Sequence, residues 1–291
     1  MPVRVPRVLI IGAGELGSAV AHRLMCSGME VLLVDLEKPV CIRTGVSFAV
    51  ALLEGAKRVE GVRGVRVASP AEAIGVSARG EIPVMAVGRD EAEWRGFAGA
   101  VGADVVVDAR MLKRDSLISK DAASFVIGLG PGFGAGAGVD AVVETNRGHG
   151  LGRVIDEGRA EPDTGVPGSI DGHTVARVIR ASRSGRFTAR AQIGTLVEKG
   201  EVVGRIDGTS GTSHGEPASE AGDGLGDVAA PLKGLVRGLI TEGSWVEKGQ
   251  KIGDIDPRGG SIDPLTISDK GRAVAGGVLE AVMHWWTTSH A

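Results

Sequence analysis

Tyrosine is absent from this chain of 291 residues, and all aromatic residues together make up only 3%. A surface that reads nucleic acid needs aromatic faces to stack on and clustered lysine and arginine to hold phosphates. With a formal net charge of −3, the chain has neither, and nucleic acid is not the expected partner. Cysteine is scarce too. Two residues, Cys26 and Cys41, cannot build a disulfide framework, which fits a reducing compartment. No apolar run approaches the roughly 18–20 residues that cross a bilayer, so no membrane partner is expected. The opening MPVRVPRVLIIGAG runs into a glycine loop rather than a small-residue cleavage site, unlike a signal peptide. Together these absences predict a cytoplasmic protein. The six histidines are scattered and share no ligand spacing with the cysteines, so no metal site is predicted.

What the chain has in excess is glycine, 47 residues set in particular places. The remaining composition, 43% hydrophobic and 24% charged, is that of an ordinary globular protein. Val8 to Ile11 is a short aliphatic run, the pattern of a strand covered on both faces. It leads into Gly12-Ala13-Gly14-Glu15-Leu16-Gly17, a GxGxxG loop. Leu16, Val20 and Leu24 follow at helical spacing, and a second strand from Glu30 to Val34 delivers Asp35. Gly12 permits a tight turn, Gly14 lets a pyrophosphate approach the backbone, and Gly17 allows close helix–strand packing. The helix N-terminus favours a phosphate, and Asp35 stands where a carboxylate accepts ribose hydroxyls. Glu15 opposes such an anion. This order predicts a Rossmann-like domain with Gly12, Ala13, Gly14, Glu15, Leu16, Gly17 and Asp35 as cofactor-binding residues. The competing reading is that the glycines serve only the turn.

Alternation continues, with a helix expected over 46–53, strand material over 59–67, a strand over 81–87, a helix over 90–100 and a strand over 105–107. Phe125-Val126-Ile127 then opens into a second glycine-rich loop, Gly128 to Gly134. Strand ends of this kind face the ligand crevice of an open α/β sheet, which adds Gly128, Gly130 and Gly132 to the binding candidates. A flexible connection is the alternative. Lys38 and Arg43 can meet a phosphate or form a solvated edge. Cys41, Arg147 and His149 are the catalytic candidates; a lone cysteine is also a common small buried hydrophobe.

Further on, the chain repeats itself. VEKGEVVGRID at 197–207 returns as VEKGQKIGDID at 246–256, and 181–207 aligns with 230–256 without a gap. Each copy reads as short strands between glycine turns, too small to bury its own apolar face, so the two are expected to interlock. Phrases such as APLKGLV (230–236) and EGSWVEKGQ (242–250) resemble the biotinyl/lipoyl type of barrel-sandwich hybrid. In carrier domains of that type the modified lysine sits on the hairpin joining the halves. The joint here, 208–227, holds no lysine, so neither biotin nor lipoate is expected. Its polar low-complexity composition reads as a disordered insert.

The tail, 266–286, spaces Val274, Val278, Val282 and Trp286 as one face of an amphipathic helix, with Ser268 as its cap. The expected organisation is a Rossmann-like nucleotide-binding domain over 1–145, a connecting segment over 146–175, a biotinyl/lipoyl-like all-β module over 176–258, and a tail over 259–291 whose helix packs on the body.

Seven stretches, in order along the chain, resemble the YqeB-type accessory proteins of selenium-dependent molybdenum hydroxylase systems. They are GAGELGSAVAHRL (12–24), EKPVCIRTGVSF (37–48), IGLGPGFGAG (127–136), VVETNRGHGLGRVI (142–155), TGVPGSI (164–170), IGDIDPRG (252–259) and TISDKGRAVAGGVLEA (266–281). Arg43-Thr44, where two arginines are expected in relatives, and the stretch 108–119 depart from that pattern. The resemblance implies a maturation factor for molybdenum hydroxylases that need labile selenium. Its implied partners are the client enzyme or other maturation factors; the two glycine loops add the expectation of a nucleotide-type ligand, a dinucleotide such as NAD(P) or a molybdopterin dinucleotide. It names no reaction, and whether one is catalysed stays open. Two other readings stand beside it: an NAD(P)-dependent oxidoreductase, and a non-catalytic scaffold for the client.

Overall fold

A computed structural model of the chain describes residues 4–112, 116, 118–163, 172, 175–208 and 226–290. It divides into two units, one of Met1–Pro39, Val46–Gly165 and Thr266–Ala291, the other of Val40–Gly45 and Val166–Leu265.

The first unit is built on a nine-stranded sheet. Its strands are β1 (Arg7–Ile11), β2 (Glu30–Asp35), β3 (Ala56–Val59), β4 (Val62–Val67), β5 (Ile82–Ala86), β6 (Val105–Asp108) and β7 (Phe125–Leu129), with two more after β8 (Gly134–Ala135). These last are β9 (Ala141–Val143) and β10 (Val154–Ile155), and β11 (Gly158–Arg159) pairs with β8 in a separate two-stranded sheet. The order across the sheet is β10-β9-β7-β6-β1-β2-β5-β4-β3. Neighbours from β9 to β4 run parallel, while β10 and β3 close the two edges antiparallel.

Alternate residues of each central strand serve opposite faces, as the pleat requires. Val8, Ile10, Leu33, Val107 and Ile127 face one core; Leu9, Ile11, Leu32, Val106 and Val126 face the other. The first core is covered by α1 (Glu15–Cys26) with Val20 and Leu24, by α2 (Val50–Glu54), and by the C-terminal helix with Val274 and Val278. The second is covered by α3 (Pro70–Ser77) and α4 (Glu91–Val101), which contribute Val76, Trp94 and Phe97. Burial on both faces explains why these strands read as unbroken aliphatic runs.

Local chemistry sets several boundaries. Ser69 accepts the Glu72 N–H at 3.2 Å while Glu72 accepts the Ala68 N–H at 2.8 Å, a reciprocal cap at the start of α3. Asp90 caps α4 and Ser268 caps α5 (Asp269–Ser289), the latter at the position read from the tail. The strand material expected over 59–67 is a hairpin, turned by Glu60 and Gly61 at positive φ. The helix expected over 46–53 is confined to α2. Among the described residues, no helix is long and apolar enough to cross a membrane.

The second unit contains β12 (Val178–Arg180), β13 (Gly185–Ala189), β14 (Leu196–Val197), β15 (Val202–Asp207), β16 (Asp227–Ala229), β17 (Gly234–Leu239), β18 (Trp245–Val246) and β19 (Lys251–Asp256). They form two four-stranded antiparallel sheets, β12-β19-β17-β14 and β16-β15-β13-β18. The two copies of the repeat exchange strands. β14 of the first copy pairs with β17 of the second, and β18 of the second pairs with β13 of the first. Each sheet is thus completed by the other copy, around a shared core of Phe187, Val203, Val236 and Ile255.

These pairings correct the expected fold class. In place of a Rossmann-like domain joined to a biotinyl/lipoyl-like barrel-sandwich hybrid, the chain forms one large mixed sheet and separate antiparallel sheets of four, four and two strands. The physical reason is the reach of the signals. A glycine turn between strand and helix, and a duplicated hairpin, specify contacts between neighbours in sequence. They say nothing of β3, β9 and β10, which extend the large sheet, or of β12, which precedes the repeat yet pairs with its last strand. Of the insert expected over 208–227, residues 209–225 lie outside the described residues, as do 164–170 of the family-like stretches.

Candidate functional site: the carboxyl edge of the parallel sheet

The loop after β1 is a rigid turn. Gly12 has φ of +99°, and its N–H donates to the Val34 carbonyl at 2.8 Å. Ala13 is tied on both sides: its N–H donates to Asp35 Oδ2 at 2.7 Å and its carbonyl accepts from Ser18 Oγ at 2.8 Å. Ser18, fully buried, also accepts the Phe48 N–H at 2.7 Å. Gly17 is where α1 meets the turn; a Cβ there would lie 1.8 Å from the Gly12 carbonyl oxygen. Leu16 packs against the first core. Glu15 is turned aside, its Oε1 accepting from Ser268 Oγ at 3.0 Å.

Gly14 behaves differently. It caps α1 with φ of −69°, makes no side-chain cap, and a Cβ on it would meet nothing within 4 Å. Nothing in the turn requires glycine there. The first turn of α1 presents N–H groups with no intrahelical acceptor, at the positive end of the helix dipole. The arrangement can therefore receive an anionic group held close to the backbone, as a phosphate is.

Asp35 closes this loop. Oδ2 takes the Ala13 N–H, and Oδ1 takes the Leu36 N–H at 2.8 Å. Burial pushes its pKa above the ordinary carboxylate range, with those two hydrogen bonds pulling in the opposite sense. Its first task is to pin the turn.

A second glycine loop leaves β7, two strands away. Gly128 lies beneath Phe133, and Gly130, at φ of +82°, donates its N–H to the Val143 carbonyl at 3.0 Å. The Gly132 carbonyl accepts from the Ser116 N–H at 2.8 Å. The end of β6 joins the two loops. Gly12 lies against Ala109 and Arg110, and Gly130 lies against Met111 and Thr145. Residues 109–111 thus bridge the glycine loops, although 108–119 fits the family-like pattern poorly. The bridge is anchored by Asp108, fully buried, which holds Arg110 through Nε at 3.0 Å and Nη2 at 2.5 Å.

The polar candidates beyond β9 have separate tasks. Glu144, buried, accepts three backbone N–H groups, from Thr145, Asn146 and Glu161, and so shapes the loop. Arg147 pairs in two-pronged fashion with Asp269 at 2.7 and 3.0 Å, at the start of α5. His149 is exposed. Cys41 and Arg43 belong to the second unit. Both are buried; the Cys41 carbonyl accepts from Thr241 Oγ1 at 3.4 Å and Arg43 Nη2 donates to the Pro264 carbonyl at 3.3 Å. Also in the second unit, Asp254 is buried between Arg177 at 2.9 Å and Arg237 at 3.5 Å, and the fully buried Asp256 holds Arg258 at 2.8 Å.

Sequence reasoning missed Ser18, Asp108 and Glu144. The one available signal was position: Ser18 follows the last loop glycine, and the two acids each end an aliphatic strand. Among the described residues, no group of three or more His, Cys, Asp or Glu side chains is placed to hold a metal ion.

No protein-family model matches the chain. It is similar to the uncharacterized protein YqeB of Escherichia coli K12, with 44% identity over 276 residues, which cover 95% of this chain and 47% of that protein. Solved structures give weaker likenesses. An aspartoacylase family protein from Mesorhizobium loti is 12% identical, with 87% of this chain and 85% of that one covered and a TM-score of 0.27. A succinylglutamate desuccinylase from Silicibacter sp. TM1040 is 12% identical, with coverages of 86% and 84% and a TM-score of 0.25. The ectoine utilization protein EutE of Ruegeria pomeroyi is 10% identical, with coverages of 85% and 56% and a TM-score of 0.24. Likenesses at such scores carry no argument about fold or chemistry. The sequence match is of another order: it runs over 95% of this chain, which spans about half the length of that curated relative.

Proposed function

We propose that the chain binds a nucleotide-bearing ligand at the Gly12–Gly17 loop and acts as an accessory protein in the maturation of selenium-dependent molybdenum hydroxylases. The observation that carries the binding half is Gly14, a glycine that the fold itself does not need, set at the mouth of a helix N-terminus. A residue kept without a side chain in open space is accounted for by a ligand that comes close to its backbone. A molybdopterin dinucleotide or NAD(P) fits this chemistry, since each carries a pyrophosphate for the N–H groups of the first turn. The maturation half rests on the family-like stretches and on the match to YqeB, and the client enzyme and other maturation factors are its proposed partners.

A single substitution separates binding from folding. Gly14→Ser introduces a favoured helix cap where space is open, so stability is expected to stay within about 0.5 kcal/mol of the parent. Native mass spectrometry of the full chain should show a nucleotide-type ligand retained by the parent and lost by the variant. Retention by both would end the loop reading. In the producing cell, deletion should leave the hydroxylase polypeptide present but inactive; full activity after deletion would remove the maturation role.

A further inference from the structure

At the far end of α1 from the glycine loop, a thiol, an imidazole and a carboxylate stand in a row. Cys26, the last residue of the helix, is exposed, whereas the other cysteine, Cys41, is buried. His22 lies one turn earlier on the same face, and both of its ring nitrogens are 3.9 Å from the Cys26 sulfur. His22 also faces the turn between β3 and β4. Its Nε2 is 3.4 Å from the Glu60 carbonyl oxygen and 3.9 Å from Glu60 Oε2. Glu60 is itself fixed, its Oε1 accepting the Ile267 N–H at 2.8 Å and an Arg272 Nη2 hydrogen at 2.7 Å. Measured along the helix, the cluster is about 18 Å from Gly14.

A nucleophile is activated by a base within reach of its proton and a third group that orients the base. With the His22 Nε2–H directed to Glu60, Nδ1 is the acceptor left for the thiol proton. Burial pushes the Glu60 pKa upward, but the Ile267 N–H, Arg272 and His22 together carry it below the ordinary carboxylate range. Glu60 therefore faces the imidazole as a carboxylate. The last turn of α1 also favours a cation at His22. The same turn presents carbonyl groups rather than N–H donors, which opposes the oxyanion of an acyl transfer. Attack on a sulfur atom builds no oxyanion, and it is the chemistry this helix end suits.

We propose that Cys26 is a nucleophilic thiol that exchanges with low-molecular-weight disulfides, with His22 as its base and Glu60 as a positioning residue. The Cys26 thiol passes its proton to His22 Nδ1, and its sulfur attacks one sulfur of the disulfide. That S–S bond breaks, the second sulfur leaves as a thiolate, and the imidazolium returns the proton to it. The products are a mixed disulfide on Cys26 and one free thiol; the disulfide is the oxidant, and no other is required. The site does not depend on the nucleotide reading of the glycine loop.

The reaction of the reduced full chain with dithiodipyridine, whose leaving thiol is read by absorbance, tests it. The parent should release one equivalent rapidly at pH 7, and Cys26→Ser should lose that equivalent. His22→Gln should slow the reaction about tenfold or more at pH 7, yet leave it unchanged at pH 10, where a thiol ionises without a base. Glu60→Gln keeps an acceptor for Ile267 and should give a smaller slowing, again at pH 7 alone. With oxidised glutathione, the intact mass of the parent should show a single adduct that is absent from Cys26→Ser. Circular dichroism of each variant checks the fold. Rapid release that survives in Cys26→Ser would overturn the proposal. So would a His22→Gln rate equal to the parent's at pH 7, or one slowed equally at both pH values, which is the mark of a merely structural histidine.

Discussion

Gly17→Ala is expected to cost about 3 kcal/mol or more of stability, in contrast with the near-neutral change three residues earlier. The added methyl would lie 1.8 Å from the Gly12 carbonyl oxygen and 3.3 Å from Ala109 Cβ. The carbonyl is backbone and cannot swing aside. Gly12 in turn is tied to Val34 by its own N–H, so relief requires α1 to lift off the sheet. That movement opens the contact between α1 and the first core, where Val20 and Leu24 are fully buried. For a unit of this size, a loss of that order lowers the melting temperature by roughly 6–12 °C. Chemical denaturation of the parent, Gly17→Ala and Gly14→Ser side by side gives the check. A shift below 1 kcal/mol for Gly17→Ala would show that the turn does not hold the helix as described.

The second large effect concerns Asp254. Its side chain is 4% exposed and faces two arginines that are 7% and 10% exposed. Removing one member of a buried ion network costs about 3–5 kcal/mol, because the partners keep their desolvation penalty after losing the opposite charge. Asp254→Ala is expected to fall in that range. Asp207, exposed at the end of the first copy and paired with Arg205 at 3.2 Å, is a surface control, and Asp207→Ala should change stability by less than about 0.5 kcal/mol. Denaturation followed by the fluorescence of Trp245, in the second unit, reads the difference. Equal effects at the two positions would mean that the buried network contributes nothing beyond surface pairing.

That contrast also shows what a repeat does and does not disclose. The alignment of 181–207 with 230–256 located the strands: Gly185 and Gly234 each lie with their Cα against the carbonyl of the matching Asp207 or Asp256, where a Cβ would come within 2.3 Å. The same alignment set Arg205 against Asp254 and could not say which copy would bury its polar residues. Burial is decided by elements outside the repeat, such as Arg177 just before β12. The candidate site divides in the same way. The order of strand, GxGxxG loop, helix, strand and Asp35 was readable because each contact in it joins residues fewer than 25 positions apart. The bridge from Gly12 through Ala109 to Gly130 was not, because strand order brings it together. The fold class failed at that scale too, since sheet edges are set by pairing over long distances.

The C-terminal helix has a consequence for synthesis. α5 lies along α1, and Gly277 comes so close to Gly152 that a Cβ would sit 2.0 Å from its carbonyl oxygen, beside Val143. During translation the strands of the first unit emerge long before this helix does, with residues 166–265 of the second unit made in between. At roughly 5–20 residues per second, the apolar face that α5 covers waits on the order of ten seconds for its lid. A nascent chain in that interval is a sticky intermediate, and it is the stage at which a ribosome-associated chaperone would matter most to this protein.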